Sequence, residues 1–410
     1  MISISDKVKD ASAKAINLCK KEFQEIENIK EHNQQKMLEA FIKCGVSESH
    51  FTASTGYGYN DRGRDALDKV YSEAFGTEDA LVRHNFVSGT HALTVALFGI
   101  LRPENEILSI TGVPYDTLRS VIGSKDNNEG SLSNFGISFK YIDLNKNGSF
   151  SYEKIKETIS NKTKAIYIQR SKGYSFRKSL SSKEINEVCS FIKNISKKII
   201  ILVDNCYGEF VEKEEPSDAD LIVGSLIKNP GGGIAPTGGY IAGKKELINL
   251  CSYRLTTLGA GKKVGATLGL SRELFMGAFH SPNATGEALK TAVFSSALFE
   301  ILGFEVYPKY NEPRHDIIEC IVLKEKDLLI KFCQGIQKGS PIDSFVTPEP
   351  WDMPGYNNQI IMAAGAFTLG SSIELSADAP LKDPYAVWLQ GGTNFYSAKI
   401  GIMLAADNIL

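Results

Sequence analysis

The chain is short of the features that mark secreted, metal-binding and membrane proteins. Its seven cysteines are Cys19, Cys44, Cys189, Cys206, Cys251, Cys320 and Cys333, an odd number with no C-x-x-C pair and no histidine cluster beside them. That pattern argues against a disulfide frame or a zinc site and predicts reduced, buried thiols in a cytoplasmic protein. A dominant charge of one sign is lacking too. Lys and Arg total 46 against 48 Asp and Glu, a formal net charge of −2, so no global field points to nucleic acid or an anionic membrane as a partner. Long hydrophobic runs are missing. The stretch 94–101 is far below the roughly 20 residues that span a bilayer, and the N-terminus Met1-Ile2-Ser3-Ile4-Ser5-Asp6-Lys7 leads into mixed charges rather than the apolar core of a signal peptide. Finally, no arginine follows Arg314.

What remains is the composition of an ordinary globular protein, 42% hydrophobic and 23% charged over 410 residues. At roughly 100–200 residues per domain, that length predicts two or three domains. Residues 1–50 read as an N-terminal helical segment, with Ile26, Ile29, Met37, Leu38, Phe41 and Ile42 at helical spacing. Residues 51–285 open with a Gly-, Tyr- and Asn-rich loop at 54–63. Short apolar strands then alternate with amphipathic helices. Strands are predicted at 106–111, 137–142, 164–169, 199–203, 221–226 and 239–242, and helices at 91–101, 152–159 and 182–194. This alternation predicts an α/β domain on a mostly parallel sheet. Residues 286–410 start with a long helix and turn to strands at 319–323, 360–363 and 372–375, a smaller α+β domain.

Three motifs mislead. Asp143-Leu144-Asn145-Lys146-Asn147-Gly148 imitates a calcium loop but has Lys154 where a bidentate Glu belongs. Gly259-Ala260-Gly261-Lys262-Lys263 lacks the first glycine and the Ser/Thr of a P-loop, and Gly56-Tyr57-Gly58 lacks the third glycine of a dinucleotide fingerprint. No metal site is expected.

Five features are informative in combination. Ser88-Gly89-Thr90 places small residues at a helix N-terminus, where free N–H groups cradle an anion. Tyr115 follows a strand in a loop, where its ring can stack on a flat ligand. The buried strand 199–203 ends in Asp204, a carboxylate that needs a partner such as a protonated pyridine nitrogen. The strand 221–226 leads to Lys228 and then to Asn229-Pro230-Gly231-Gly232-Gly233. A lysine there is expected to be desolvated, with a lowered pKa, and able to form Schiff bases. Arg170 lies just past the strand 164–169, on the same sheet edge. A phosphate cradle, a stacking ring, a nitrogen partner and a reactive lysine are together the parts list for pyridoxal 5'-phosphate (PLP).

These residues, with Val203-Asp204-Asn205-Cys206-Tyr207 and Ser225-Leu226-Ile227-Lys228, resemble the cofactor motifs of fold-type-I PLP enzymes, the aspartate-aminotransferase-like fold. Ser54–Tyr59, Ile168–Tyr174, Val203–Phe210, Gly224–Gly233 and Gly370–Leu375 resemble more narrowly the methionine γ-lyase-like, cystathionine-lyase-like carbon–sulfur lyases linked to aluminium resistance. The resemblance covers nearly the whole chain. It implies that Lys228 carries PLP, Asp204 faces the ring nitrogen, Tyr115 stacks on the ring, and Ser88, Gly89, Thr90 and Ser225 hold the phosphate, with Tyr207 close by. It also implies a homo-oligomer, a dimer of dimers, in which Tyr57, Tyr59 and Arg62 reach a neighbour's phosphate. The implied reaction is β- or γ-elimination on a sulfur-containing amino acid, with Lys228 as base and Tyr115 either stacking only or also protonating the sulfur. A PLP transaminase, or a PLP-binding regulator without turnover, would share the cofactor residues. One departure stands out: Glu374 occupies the place of the arginine that grips the substrate carboxylate in cystathionine-lyase relatives. Arg170 is the first expected substitute and Lys382 the second, although Arg170 would equally suit a buried acid or the cofactor.

Overall fold

The chain is described here from a computed structural model that covers residues 2–124, 129–353 and 358–410. Seven strands build the larger sheet: β1 (Asp79–Arg83), β2 (Glu106–Ser109), β3 (Ser138–Tyr141), β4 (Thr163–Gln169), β5 (Ile200–Asp204), β6 (Leu221–Ser225) and β7 (Gly239–Gly243). They lie in the order β1-β7-β6-β5-β4-β2-β3, and β7 pairs antiparallel with both its neighbours while the run from β6 to β3 is parallel. Central strands buried on both faces need continuous apolar sequence. Ile200-Ile201-Leu202-Val203 supplies it, with Ile201 and Val203 packed into one core and Ile200 and Leu202 into another on the opposite face. The edge strand β3 is short and mostly exposed, and Lys140 on it pairs with Glu106 at 2.9 Å. Charge on a short edge discourages pairing with another chain.

The smaller sheet is antiparallel, in the order β10-β11-β12-β9-β8, from β8 (Glu305–Tyr307), β9 (Glu319–Val322), β10 (Ile360–Ala363), β11 (Ser376–Pro380) and β12 (Ala386–Gln390). A strand expected at 372–375 is instead a turn, and β11 begins only at Ser376. The Glu374 carboxylate accepts the backbone N–H groups of Phe367 and Thr368, at 2.8 and 3.0 Å, and so curls the segment away from extended geometry.

The helix Ser271–Ile301 joins the two sheets. Its Leu274, Phe275 and Ala278 pack under the larger sheet, while Ala284, Ala288, Phe294 and Leu298 enter the core of the smaller one. The expected division at 285–286 therefore falls inside a continuous helix. The N-terminal segment is likewise shared. Val8, Ala11 and Ala15 of the helix Asp6–Leu18, with Cys19 just past its end, join the C-terminal core, whereas Met37 and Ala40 of Lys20–Lys43 pack with the larger sheet. Small residues at helical spacing let the first helix lie close to its neighbours, and the Asp407 carboxylate accepts the Ser5 N–H at 3.1 Å. Among the described residues, no helix is long and apolar enough to cross a membrane.

Candidate active site

Strand parity brings the site together. Side chains alternate between faces, so Asp204 shares a face with Ile200 and Leu202, the face covered by Leu93, Ala96 and Leu97 of the helix Gly89–Ile100. Ser225 shares that face with Leu221 and Val223. The N-terminus of the helix thus meets the C-terminal tips of β5 and β6. Ser88 caps it, its Oγ accepting the His91 N–H at 3.0 Å. Gly89 permits the contact: a Cβ there would stand 3.2 Å from Ser225 Cβ and 3.3 Å from Cys206 Sγ. Thr90 Oγ1 lies 3.1 Å from the Tyr115 hydroxyl and 3.2 Å from Thr117 Oγ1.

Asp204 is buried. One carboxylate oxygen accepts the Tyr167 hydroxyl at 3.1 Å and the other accepts the Cys206 N–H at 3.2 Å. Lys228 Nζ stands 3.9 Å from the centroid of the Tyr207 ring, a cation–π contact. Tyr207 itself holds φ at 71°, a left-handed conformation that costs a non-glycine residue energy and recurs at functional sites. Ser88, Gly89, Thr90, Tyr115, Asp204, Tyr207, Ser225 and Lys228 all line one cleft of about 620 Å³ between the two sheets.

The electrostatics differ from expectation at the lysine. Burial disfavours the Lys228 ammonium, but Cys206, Tyr207 and Asp204 around it outweigh burial and hold its pKa well above the ordinary lysine range. The lowering expected from burial is thus opposed by Cys206, Tyr207 and then Asp204. Burial in turn raises the Asp204 carboxyl, against the opposing pull of Lys228. Burial and then Asp204 push the Tyr115 hydroxyl well above 10, so it keeps its proton.

Other sequence-derived residues lie elsewhere. Arg170 does not line the cleft. Its buried guanidinium turns to Glu212 at 2.6 Å and Glu215 at 3.0 Å, with Asn205 at 2.7 Å and Ser182 at 3.0 Å. A guanidinium so engaged cannot receive a substrate carboxylate, and the buried-acid reading replaces the clamp. Tyr57, Tyr59 and Arg62 are exposed and line no part of their own chain's cleft, the two tyrosine rings standing 5.6 Å apart. Lys382 does line it, near the end of β11. The false P-loop is structural: Lys262 pairs with Asp79 at 2.5 Å and Asp68 at 3.3 Å. Among the described residues no cluster of metal-ligating side chains occurs.

Several contributors were missed. Tyr167 could have been found by parity, since the register pairs Tyr167 with Leu202 and so puts it on the Asp204 face. Cys206, two residues past Asp204, lines the cleft beside Gly89, a role that its place in the string Val203–Tyr207 did not by itself reveal. The wall from the smaller sheet includes Gln390, whose amide donates to the buried Asp378 at 2.5 Å. Asp378 also accepts the Tyr174 hydroxyl at 2.7 Å. That network joins residues far apart in sequence and leaves no local signal.

The donor set fits PLP. A half-buried lysine, a buried carboxylate with an oxygen close to it, an aromatic ring on a loop, and a glycine-opened helix N-terminus beside a serine converge on one space. Comparison with known proteins agrees. Residues 8–410 match the sequence profile described as methionine gamma-lyase. A Clostridium novyi NT structure, named as a carbon–sulfur lyase involved in aluminum resistance, is 52% identical over 99% of this chain and 97% of its own, with a TM-score of 0.96. The Bacillus subtilis (strain 168) protein YnbB is 48% identical over 94% of this chain and 92% of its own. At the level of fold alone, the PLP-dependent protein YhfS of Escherichia coli matches at 14% identity over 93% of this chain and 97% of its own, with a TM-score of 0.62. The chain belongs to the methionine gamma-lyase family of PLP-dependent enzymes with fold type I.

Proposed function

We propose that this protein is a PLP-dependent carbon–sulfur lyase that acts on a sulfur-containing amino acid, methionine or a cystathionine-like thioether, by β- or γ-elimination to a 2-oxo acid, ammonia and a thiol. The convergence of Lys228, Asp204 and Tyr115 on one cleft supports PLP chemistry, and the methionine gamma-lyase family match supports a lyase over a transaminase. When bound, PLP supplies an electron sink for the charge that develops at the substrate Cα. Lys228 would hold the cofactor covalently and then, displaced by the incoming amine, take the Cα proton. Asp204 would keep a proton on the ring nitrogen, itself oriented by the Tyr167 hydroxyl. With its charge engaged there, Asp204 would stabilise the Lys228 ammonium less, and more of the lysine would be the free amine that can accept a proton. Ser88, Gly89, Thr90 and Ser225 would receive the phosphate, and Tyr207 would pack beside the lysine. Tyr115, which keeps its proton, would stack on the ring and deliver a proton to the leaving sulfur.

A homo-oligomer with shared sites, a dimer of dimers, goes with this reading, Tyr57, Tyr59 and Arg62 reaching a neighbour's phosphate. The exposure of both tyrosines supports it, 75% for Tyr57 and 62% for Tyr59. Cytoplasmic location is supported by seven cysteines that all remain free thiols. The test is borohydride reduction of the yellow protein followed by peptide mapping, together with an amino-acid panel assayed for 2-oxo acid and ammonia. The pyridoxyl group is expected on Lys228. A requirement for a 2-oxo acid acceptor, with no ammonia released, would make the protein a transaminase instead.

A further inference from the structure

The cleft must grip an amino-acid carboxylate, yet the smaller domain offers no free arginine for it. Arg314, the last arginine in the chain, is 2.6 Å from Glu319, and Arg170 is held by Glu212 and Glu215. Among the described residues, the cations that line the cleft are Lys172, Arg177, Lys228 and Lys382. Lys228 has its role already. Lys172 donates through Nζ to the Tyr307 carbonyl at 2.5 Å. Lys382 is an exposed point charge at the mouth.

Arg177 is different. It stands on the connection between β4 and the helix Ser182–Ile195, and three main-chain carbonyls pin its guanidinium: Gln169 at 2.7 Å, Lys178 at 2.8 Å, and Ser171. Gln169 is the register partner of Asp204, so the pinned group sits at the sheet edge that carries the ring-nitrogen partner. Carbonyls orient a guanidinium without neutralising it. Among the described residues no ion pair holds Arg177, on which the Asp316 carboxylate acts only at longer range. A part-buried cation held only by carbonyls is poorly compensated, and burial pulls its pKa down to about 10 against the opposing pull of Asp316. An incoming carboxylate relieves that cost, and a donor already held in place loses little freedom on binding it.

We propose that Arg177, from the larger domain, receives the substrate carboxylate, in place of an arginine from the smaller one. The assignment rests on the amino-acid lyase reading but is tested independently of turnover. The probes are L-norleucine, which has the shape of methionine and no leaving group, and n-pentylamine, which is norleucine without its carboxylate. Calorimetric titration of the holoenzyme with each gives a carboxylate preference. Arg177→Gln is expected to reduce that preference by about 10- to 100-fold, the range for hydrogen bonds to a charged group, while the bound-cofactor absorbance stays unchanged. Arg177→Lys, which keeps the charge and can still meet the carbonyls, is expected to retain part of the preference and covers the case in which the Gln variant misfolds. An unchanged preference in Arg177→Gln would overturn the proposal. So would loss of the preference in Lys382→Ala alone, or loss of bound cofactor in both Arg177 variants, which would make Arg177 a loop or cofactor residue. If no thioether yielded a 2-oxo acid, the lyase reading would fail and the binding test of Arg177 would still stand.

Discussion

Asp204 ends β5 and Glu209 follows shortly after it, and burial raises the pKa of both carboxyls, to different effect. Asp204 has Lys228 to oppose that shift and lines the cleft, so its charge is available to a ligand. Replacing it by asparagine leaves shape intact and removes the charge. The expected loss in kcat is on the order of 10²–10³, the size seen when one preorganised electrostatic partner is deleted, with the fold checked by circular dichroism. Near-normal turnover would remove Asp204 from the ring nitrogen. Glu209 points the other way. One oxygen accepts the Tyr240 hydroxyl at 2.9 Å, the other is buried without a partner, and burial, with Glu215 nearby, pushes the carboxyl up to about 8. Its ordinary value is 4.5, so between those limits the folded chain binds a proton that the unfolded chain has lost. The stabilisation is complete below the ordinary value and disappears as pH rises through about 8, with a slope of up to ~1.4 kcal/mol per pH unit. Thermal melts from pH ~6 to ~9 are therefore expected to fall less steeply in Glu209→Gln than in the parent. Parallel slopes would show that Glu209 titrates normally.

At the scale of elements, the helix Gly89–Ile100 makes the site by ending where it does. Ser88 caps the turn by taking the His91 N–H, and Gly89 lets β6 and Cys206 approach the first N–H groups of the helix. Gly89→Ala would place a methyl at 3.2–3.3 Å from Ser225 and Cys206, within the space between helix and sheet. Weaker cofactor retention on dialysis, by roughly tenfold or more, is expected from the loss of one charge-assisted contact, and unchanged retention would place the phosphate elsewhere. The helix and its cap were legible from Ser88-Gly89-Thr90. The segment 372–375 was not read correctly, since Ser-Ile-Glu-Leu has the alternation of a strand. Only the distant N–H groups of Phe367 and Thr368 turn Glu374 into the anchor of a loop.

At the scale of the whole molecule, each chain leaves Tyr57 and Tyr59 exposed, with Leu258 and Leu268 exposed on the segment that the 54–58 loop contacts. The Tyr57 carbonyl accepts the Gly265 N–H at 2.9 Å, and the Ser54 carbonyl accepts the Leu268 N–H at 3.1 Å. Apolar exposure of this kind is characteristic of association surfaces. Mixing inactive Lys228→Ala chains with inactive chains that carry Tyr59→Phe and Arg62→Ala is expected to restore activity in hybrids, because one of the two sites in such a pair would be intact. No recovery, with hybrids verified by native mass spectrometry, would mean that each chain completes its own site.

The order of apolar runs along the chain was enough for the mostly parallel character of the larger sheet, though not for β1 or the antiparallel pairing of β7. A central strand must be apolar throughout, and the runs that end in Asp204 and lead to Lys228 announce both the strand and the chemical group at its tip. Tertiary structure alone decided which charges are free. Arg170 and Arg177 are near neighbours in sequence and both lie just beyond β4, and nothing local tells them apart. Arg170 meets Glu212 and Glu215 beneath the sheet, while Arg177 meets only carbonyls at the cleft wall. The difference depends on partners brought in from distant segments, and a guanidinium's availability is a property of those partners rather than of the residue.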